Sequence, residues 1–105
     1  MILQYINDVT ELNDISTELQ DETLDEAMEL IVKLVVKDDI PPTQIPKQIV
    51  RTSALAGQLR LKAKYYMLFA KDDPMANKKK NTFLTCAESL EKITDSLKYV
   101  AKSTM

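Results

Sequence analysis

The sequence predicts an all-α fold: an antiparallel helical hairpin packed by an acidic N-terminal helical region. Glycine occurs once in 105 residues, whereas a β-rich fold of this size needs several turns that favour glycine. Apolar residues recur at steps of three and four along each long segment, which is the helical period. Prolines and paired acidic residues separate these segments at 38–42 and 71–74. We therefore expect one domain over 1–105, a three- to four-helix bundle that oligomerisation could complete.

Two helices are predicted in the acidic region, 1–39. Residues 2–20 place six aliphatic side chains on one helical face, but their many Asn, Asp, Ser and Thr residues predict a short or frayed helix. Residues 22–37 carry a second apolar stripe, and Thr23 with Glu26 has the spacing of a capping box at its start. The β-branched residues near its end would also suit a strand, but they lack the two-residue alternation of one. The first face consists of Ile2, Ile6, Val9, Leu12, Ile15 and Leu19.

The first helix of the hairpin is predicted at 44–70. Apolar and small residues alternate steps of four and three along it, and they form a heptad seam. Gly57 lies beside this seam, and we assign it to close packing against a neighbouring helix. The seam consists of Ile45, Ile49, Thr52, Ala56, Leu59, Ala63, Tyr66 and Ala70.

The second helix completes a basic hairpin over 44–102. Asp73 is predicted to cap it, with Pro74 at its first position. The helix therefore begins at 74, or only at 81 after a run of three lysines, and ends near 102. Long helices joined by so few residues run antiparallel. The seam should then face the apolar stripe of the second helix or a second copy of the chain.

Charge divides the chain into two halves. Residues 1–39 hold eleven acidic and two basic side chains, a net charge of −9, whereas residues 40–105 hold twelve basic and five acidic ones, a net charge of +7. The two add to the −2 of the whole chain, and no acidic residue occurs between Ile40 and Lys71. This asymmetry predicts a fold that neutralises itself, an oligomer that pairs acidic with basic arms, or a basic surface for an acidic partner.

The acidic side chains of the first half form rows if that stretch is helical. Glu18, Glu22 and Glu26 step by four, and like charges at this spacing each cost about 0.2–0.5 kcal/mol. A basic surface should therefore lie opposite them, and one side of helix 44–70 offers it. We expect the two faces to meet within the fold or across a dimer, with solvation of both as the alternative. The basic side chains concerned are Lys47, Arg51 and Lys62.

Enzymatic chemistry is not expected from this composition. The chain has no histidine, the usual general base at neutral pH and the commonest zinc ligand. Cys86 lies in the apolar stripe of the last helix, which indicates a buried core thiol rather than a nucleophile. The single glycine cannot form a phosphate-binding loop, and the acid pairs at 38–39 and 72–73 lack the spacing of a calcium loop. We therefore expect no catalytic residue, metal, cofactor or small-molecule substrate.

The sequence also predicts a cytoplasmic protein that does not enter the membrane. Its longest nearly apolar run, 30–36, is far shorter than the ~20 residues that span a bilayer. The first residues lack the basic segment and cleavage pattern of a signal peptide. A single cysteine forms no internal disulfide, which favours a reducing compartment.

Two functions are consistent with these features, and the first is a small non-enzymatic interaction or assembly protein. Its amphipathic helices would contact a protein partner or a second copy of the chain, because they offer more apolar surface than a thin monomer covers. The candidate interface is the larger part of the seam. It consists of Ile45, Ile49, Ala56, Leu59, Ala63 and Tyr66.

The second function is a single-stranded nucleic-acid-binding module. Cations that follow phosphates and aromatic rings that stack on bases are the two requirements of such binding. Tyr66 belongs to the seam, which leaves Tyr65 for stacking, and a run of three lysines is also typical of a solvated face. The candidate residues are Arg60, Lys62, Lys64, Tyr65, Lys78, Lys79 and Lys80.

A stretch of the last helix resembles a known family. The sequence FLTCAESLEKITDSLKY from Phe83 to Tyr99, preceded at a distance by Lys64-Tyr65-Tyr66, is similar to the middle of the T4-type phage recombination mediators. The resemblance implies a helical, oligomeric phage accessory protein that binds single-stranded DNA and helps to load a recombinase. It also implies that the basic residues near Tyr65 and Tyr66 contact the DNA.

Overall fold

The computed structural model describes residues 6–35 and 40–103, and it confirms the all-α prediction over these ranges. They contain four α-helices, one 3-10 turn and no strand. Several features named above lie outside what the structure describes: Ile2, the side chains of Ile6 and Val9, the end of the predicted helix 22–37, and the acid pair at 38–39. The helices are α1 (Ile6–Leu19), α2 (Glu22–Val35), α3 (Ile45–Leu68, after a 3-10 turn at Pro42–Gln44) and α4 (Ala76–Ser103).

Helices α3 and α4 form the predicted antiparallel hairpin. Near the start of α3, Thr52 Oγ1 lies 2.6 Å from Thr94 Oγ1. Near its end, Tyr66 stacks on Phe83 with ring centroids 5.6 Å apart. All eight seam residues are buried or half-buried. Of the two predicted arrangements, the seam therefore adopts the one in which it faces its own chain.

Helices α1 and α2 cover one side of this hairpin. Helix α2 contributes seven buried residues to the core. Among the side chains of α1 that the structure describes, only Leu12 and Ser16 are buried, and Ser16 Oγ donates to Leu12 O at 2.8 Å. The described residues extend over 50 × 23 × 19 Å. The molecule is therefore slender, and the side of α3 that faces away from α2 and α4 lies at the surface.

The start of α2 differs from the predicted capping box, because Asp21 rather than Thr23 is the cap. Asp21 Oδ1 accepts hydrogen bonds from the backbone N–H groups of Thr23 at 2.9 Å and Leu24 at 3.0 Å. A carboxylate at this position also interacts favourably with the helix dipole, which a threonine hydroxyl does not. Gln20, with φ of 52°, turns the chain between α1 and the cap.

Helix α4 begins at Ala76, close to the earlier of the two predicted starts. Asp73 lies three residues before this start, and its Oδ1 accepts a hydrogen bond from Met75 N at 2.8 Å, so it closes the turn that leads into α4 rather than occupying the predicted N-cap position. Pro74 lies in the turn before the first helical residue rather than at the first helical position. The alternative start after Lys80 is wrong, so the three lysines belong to the helix.

The sequence predicts a buried Cys86 and a closely packed Gly57, and the structure agrees with the first of these only. Cys86 is fully buried, as predicted, and its Sγ lies 3.7 Å from Met28 Sδ. The predicted close packing of Gly57 is not made with the described residues of the chain, because Gly57 is exposed and a Cβ built there meets no atom within 4 Å. A step of two residues from the buried Leu59 turns the helix by about 200°, which directs position 57 away from the core.

Candidate interaction surfaces

Acidic side chains of the first two helices contact basic side chains of the hairpin within the fold. The charge pattern predicts that the acidic and basic faces pair either within the fold or across a dimer. The structure shows pairing within the fold, which requires no second copy. All three ion pairs are partly exposed, so each stabilises the fold only weakly. The pairs are Lys62–Asp21, Lys78–Glu18 and Arg51–Glu26, with N···O distances of 2.9, 2.8 and 3.9 Å.

The Lys62–Asp21 pair is the most buried of these three contacts. Burial of Asp21 raises its pKa, but hydrogen bonds from Lys62 Nζ and from the backbone N–H groups of Leu24 and Thr23 outweigh it, so the pKa lies below its ordinary value. The same carboxylate thus caps α2 and binds α3. Lys62 is therefore used inside the fold rather than left for a nucleic acid.

Two further cations of the nucleic-acid set are also paired. Arg60 donates from Nε and Nη2 to Glu91 at 2.8 and 2.6 Å, and these hydrogen bonds lower the pKa of Glu91. Lys79 Nζ lies 3.1 Å from Asp73 Oδ2 and 5.1 Å from the ring centre of Tyr66. The paired members of the set are therefore Arg60, Lys62, Lys78 and Lys79.

The remaining members of the nucleic-acid set do not join the paired ones in a single surface. Lys64 and Lys80 have no ion partner among the described residues. Tyr65 is exposed, and its ring meets that of Tyr66 edge to face at 5.4 Å. Lys62 and Lys64 lie about 160° apart around α3. The predicted set is therefore divided between two sides of the hairpin.

The six candidate interface residues are used within the chain. Ile45, Ala56, Leu59 and Ala63 are buried, and Ile49 and Tyr66 are half-buried against the same core. These side chains pack the hairpin and the second helix against each other. In this fold they offer little surface to another molecule, so a partner would have to bind a different part of the protein.

Such a surface runs along the opposite side of α3, and we call it the outer stripe. Its residues fall within about 80° of one another around the helix, on the side away from the seam. Phe69, the C-cap residue, is 78% exposed and extends the stripe, with its ring 6.0 Å from that of Tyr65. The outer stripe consists of Val50 (70% exposed), Ala54, Gly57, Leu61 (70%), Tyr65 (54%) and Leu68 (47%).

The outer stripe was missed as a site although its signal is present in the sequence. From Val50 to Leu68 all its members again step by four or three. The seam alone satisfies the expectation of one apolar face for a helix at a protein surface. The second apolar face indicates a binding surface only once the seam is known to be covered by other helices of the same chain.

Positive charge flanks the outer stripe on both edges. Helical positions place Lys64 and Arg60 on one edge and Lys47 and Arg51 on the other. Lys47 and Lys64 have no ion partner among the described residues. No acidic residue of α3 balances them, because none occurs between Ile40 and Lys71. Arg60 and Arg51 are already paired with Glu91 and Glu26, so each edge of the apolar centre carries one lysine without an ion partner among the described residues.

The described residues offer little to support covalent or metal chemistry. Burial raises the pKa of the Cys86 thiol to about 11, so this group is neutral at physiological pH. Over 6–35 and 40–103, no group of three His, Cys, Asp or Glu side chains could hold a metal ion. Within the same ranges, no helix combines the length and apolar character needed to cross a membrane.

A proposal for the function therefore rests on the surfaces of the fold. The resemblance to the phage recombination mediators stays a prediction. Comparisons with protein-family models, with curated proteins and with solved structures found no match to this chain.

Proposed function

We propose that this protein is a non-enzymatic interaction protein that binds another protein through the outer stripe of α3. The observation that supports the proposal is that α3 is apolar on two opposite faces, one packed in the hairpin and the other exposed. Helices that are apolar all round are normally buried on all sides. Monomers also rarely leave contiguous apolar patches uncovered unless these bind something.

The apolar part of this surface is large enough to contribute to binding. Five of its side chains are 47–78% exposed, and full burial of one such side chain stabilises by about 1.5–3 kcal/mol. Their burial would contribute about 5–10 kcal/mol against an association cost of about 4–15 kcal/mol. The apolar contact is therefore comparable with the cost of association, so polar contacts beside the stripe must add to it, which favours a reversible partner over a permanent complex. The five are Val50, Leu61, Tyr65, Leu68 and Phe69.

Site-specific photocrosslinking in cells of the source organism tests the proposal. The crosslinker p-benzoylphenylalanine is placed at Leu61, in the stripe, or at Glu29, an exposed position of α2 that serves as the matched control. We expect a discrete protein adduct from position 61 and none from position 29. Excess wild-type chain should suppress the adduct, whereas excess Leu61→Glu chain should not. Equal labelling from both positions, or none from position 61, would contradict the proposal.

Single-stranded nucleic-acid binding is a second candidate, with a specific observation in its favour. Lys64 and Lys71 have no ion partner among the described residues, and they lie within two residues in sequence of the exposed rings of Tyr65 and Phe69. This reading predicts binding of a labelled single strand that weakens steeply as salt rises. Absence of binding at about 50 mM salt would exclude it. The phage accessory role implied by the resemblance and a cytoplasmic setting remain part of the proposal.

A further inference from the structure

We propose that the partner element on the outer stripe is an amphipathic α-helix with acidic residues beside its apolar face, which crosses α3 at Gly57. The inference rests on the proposed function, because it assigns a partner to the same surface. Three features of the stripe support it: its apolar face, the charge along its edges and the notch at its centre.

Charge complementarity selects an acidic partner. Lys47 and Lys64 lie on opposite edges of the stripe without an ion partner among the described residues. An approaching surface with carboxylates beside an apolar centre would pair with them and be steered towards α3. A basic or neutral partner would leave both cations uncompensated.

The α1, α2 and α3 surfaces of a second copy of the chain do not meet this requirement. Two α3 helices packed through their outer stripes would place cations opposite cations, and neither helix contains an acidic residue between Ile40 and Lys71. The acidic helices of a second copy fit no better. Every exposed residue of α1 and α2 whose side chain the structure describes is polar or charged, so this described part of the two helices offers no exposed apolar face to set on the stripe.

Gly57 indicates that the partner element is a helix. Glycine inside a helix costs about 1 kcal/mol relative to alanine, and nothing within the chain requires it here, since a Cβ would meet no atom within 4 Å. With Ala54 it forms a notch between the larger side chains of Val50 and Leu61. The distance between two packed helices depends on the side chains at their crossing point. A notch flanked by apolar side chains therefore permits a close crossing at position 57.

Synthetic helical peptides provide the probe for this proposal. One peptide carries leucine and alanine on one face with glutamate along both edges. A second replaces every glutamate with lysine, and a third scrambles the first so that no apolar face remains. Fluorescence anisotropy measures the affinity of each for the full-length protein. We expect the acidic amphipathic peptide to bind at least tenfold more tightly than the other two. Comparable binding of the lysine peptide, or no binding of the acidic one, would overturn the partner chemistry.

Substitutions at the notch test the crossing point. Gly57→Leu should weaken binding of the acidic peptide at least tenfold and Gly57→Ala much less, whereas Glu29→Leu on α2 should leave it unchanged. Leucine is a better helix former than glycine, so thermal unfolding will show that the Gly57→Leu chain remains folded. Unchanged affinity in Gly57→Leu would overturn the crossing at this position.

Other occupants of the stripe give distinct results. Sedimentation that shows a dimer which Leu61→Glu dissociates would identify a second copy as the occupant. Displacement of the acidic peptide by a single-stranded oligonucleotide would identify a nucleic-acid surface. Either result overturns the acidic helix. If the crosslink at position 61 forms but no peptide discriminates by charge, the proposed function stands and only the partner chemistry fails; if the crosslink is absent as well, both fail.

Discussion

Substitutions of Asp21 separate its two roles as the cap of α2 and the partner of Lys62. Asp21→Ala removes both the cap, worth about 1 kcal/mol, and the part-buried ion pair, worth about 0.5 kcal/mol. Asp21→Asn retains an oxygen that can cap, because asparagine and aspartate are comparable N-caps, but it loses the charge. We therefore expect Asp21→Ala to lower the free energy of unfolding by about 1.5 kcal/mol and Asp21→Asn by about 0.5 kcal/mol.

Urea unfolding followed by far-ultraviolet circular dichroism measures both losses. The larger loss should lower Tm by about 6–12 °C in a domain of this size. Lys62→Met removes the ion pair from the other side and completes a double-mutant cycle with Asp21→Asn. Equal losses in Asp21→Ala and Asp21→Asn would refute the capping role. Additive losses in Asp21→Asn and Lys62→Met would refute the ion pair.

The pH dependence of stability gives an independent test of the same carboxylate. The pKa of Asp21 is lower in the folded protein than its ordinary value of 3.8. The ionised group therefore stabilises the fold fully above that value, and this stabilisation is lost as the pH falls through the folded-state pKa. The advantage of the wild type over Asp21→Asn should be constant above about pH 5 and shrink below about pH 4. An advantage that grows in acid would contradict the assignment.

Three further predictions concern the hairpin. Gly57→Ala should raise the free energy of unfolding by up to about 1 kcal/mol, because the position is helical and open; a lower Tm would contradict its outward placement. Cys86 should resist a thiol reagent in the native protein at about pH 8 and react once the protein unfolds, since burial holds its pKa at about 11. Rapid labelling of the folded protein would show that the thiol is accessible. Thr52→Val and Thr94→Val should each lower the free energy of unfolding in urea by about 1 kcal/mol. The double variant should lose less than the sum of the two, because the two hydroxyls lie 2.6 Å apart. Strictly additive losses would show that the contact contributes nothing.

The hairpin could be predicted from sequence because its signals are local and repeated. Ala56, Leu59 and Ala63 are three successive members of one seam, and all three are buried. The turn at Asp73 follows from the reach of a short carboxylate to a backbone N–H two residues later. Neither inference depends on residues distant in the chain.

The cap of α2 and the orientation of Gly57 depend on contacts that sequence does not display. Asp21 and Thr23 are both good capping residues, and Lys62, which is 41 residues away, stabilises the carboxylate of Asp21. Gly57 follows a seam residue in sequence but belongs to the outer stripe, and only the filled core shows which of these two stripes of similar period faces inward. The outer stripe could be recognised as a candidate site only after the seam was assigned to the hairpin.

In the fold, the basic residues of α3 point in two different directions. Lys62 faces the acidic helices and is paired with Asp21, whereas Lys64, about 160° away around α3, flanks the outer stripe without an ion partner among the described residues. Folding and binding should therefore use different cations. We expect Lys64→Glu to weaken binding of the acidic peptide at least tenfold and to change the free energy of unfolding by less than about 0.5 kcal/mol. Lys62→Met should lower stability and leave the affinity unchanged. If urea unfolding and anisotropy show the two effects exchanged, the outer stripe is not where an acidic partner binds.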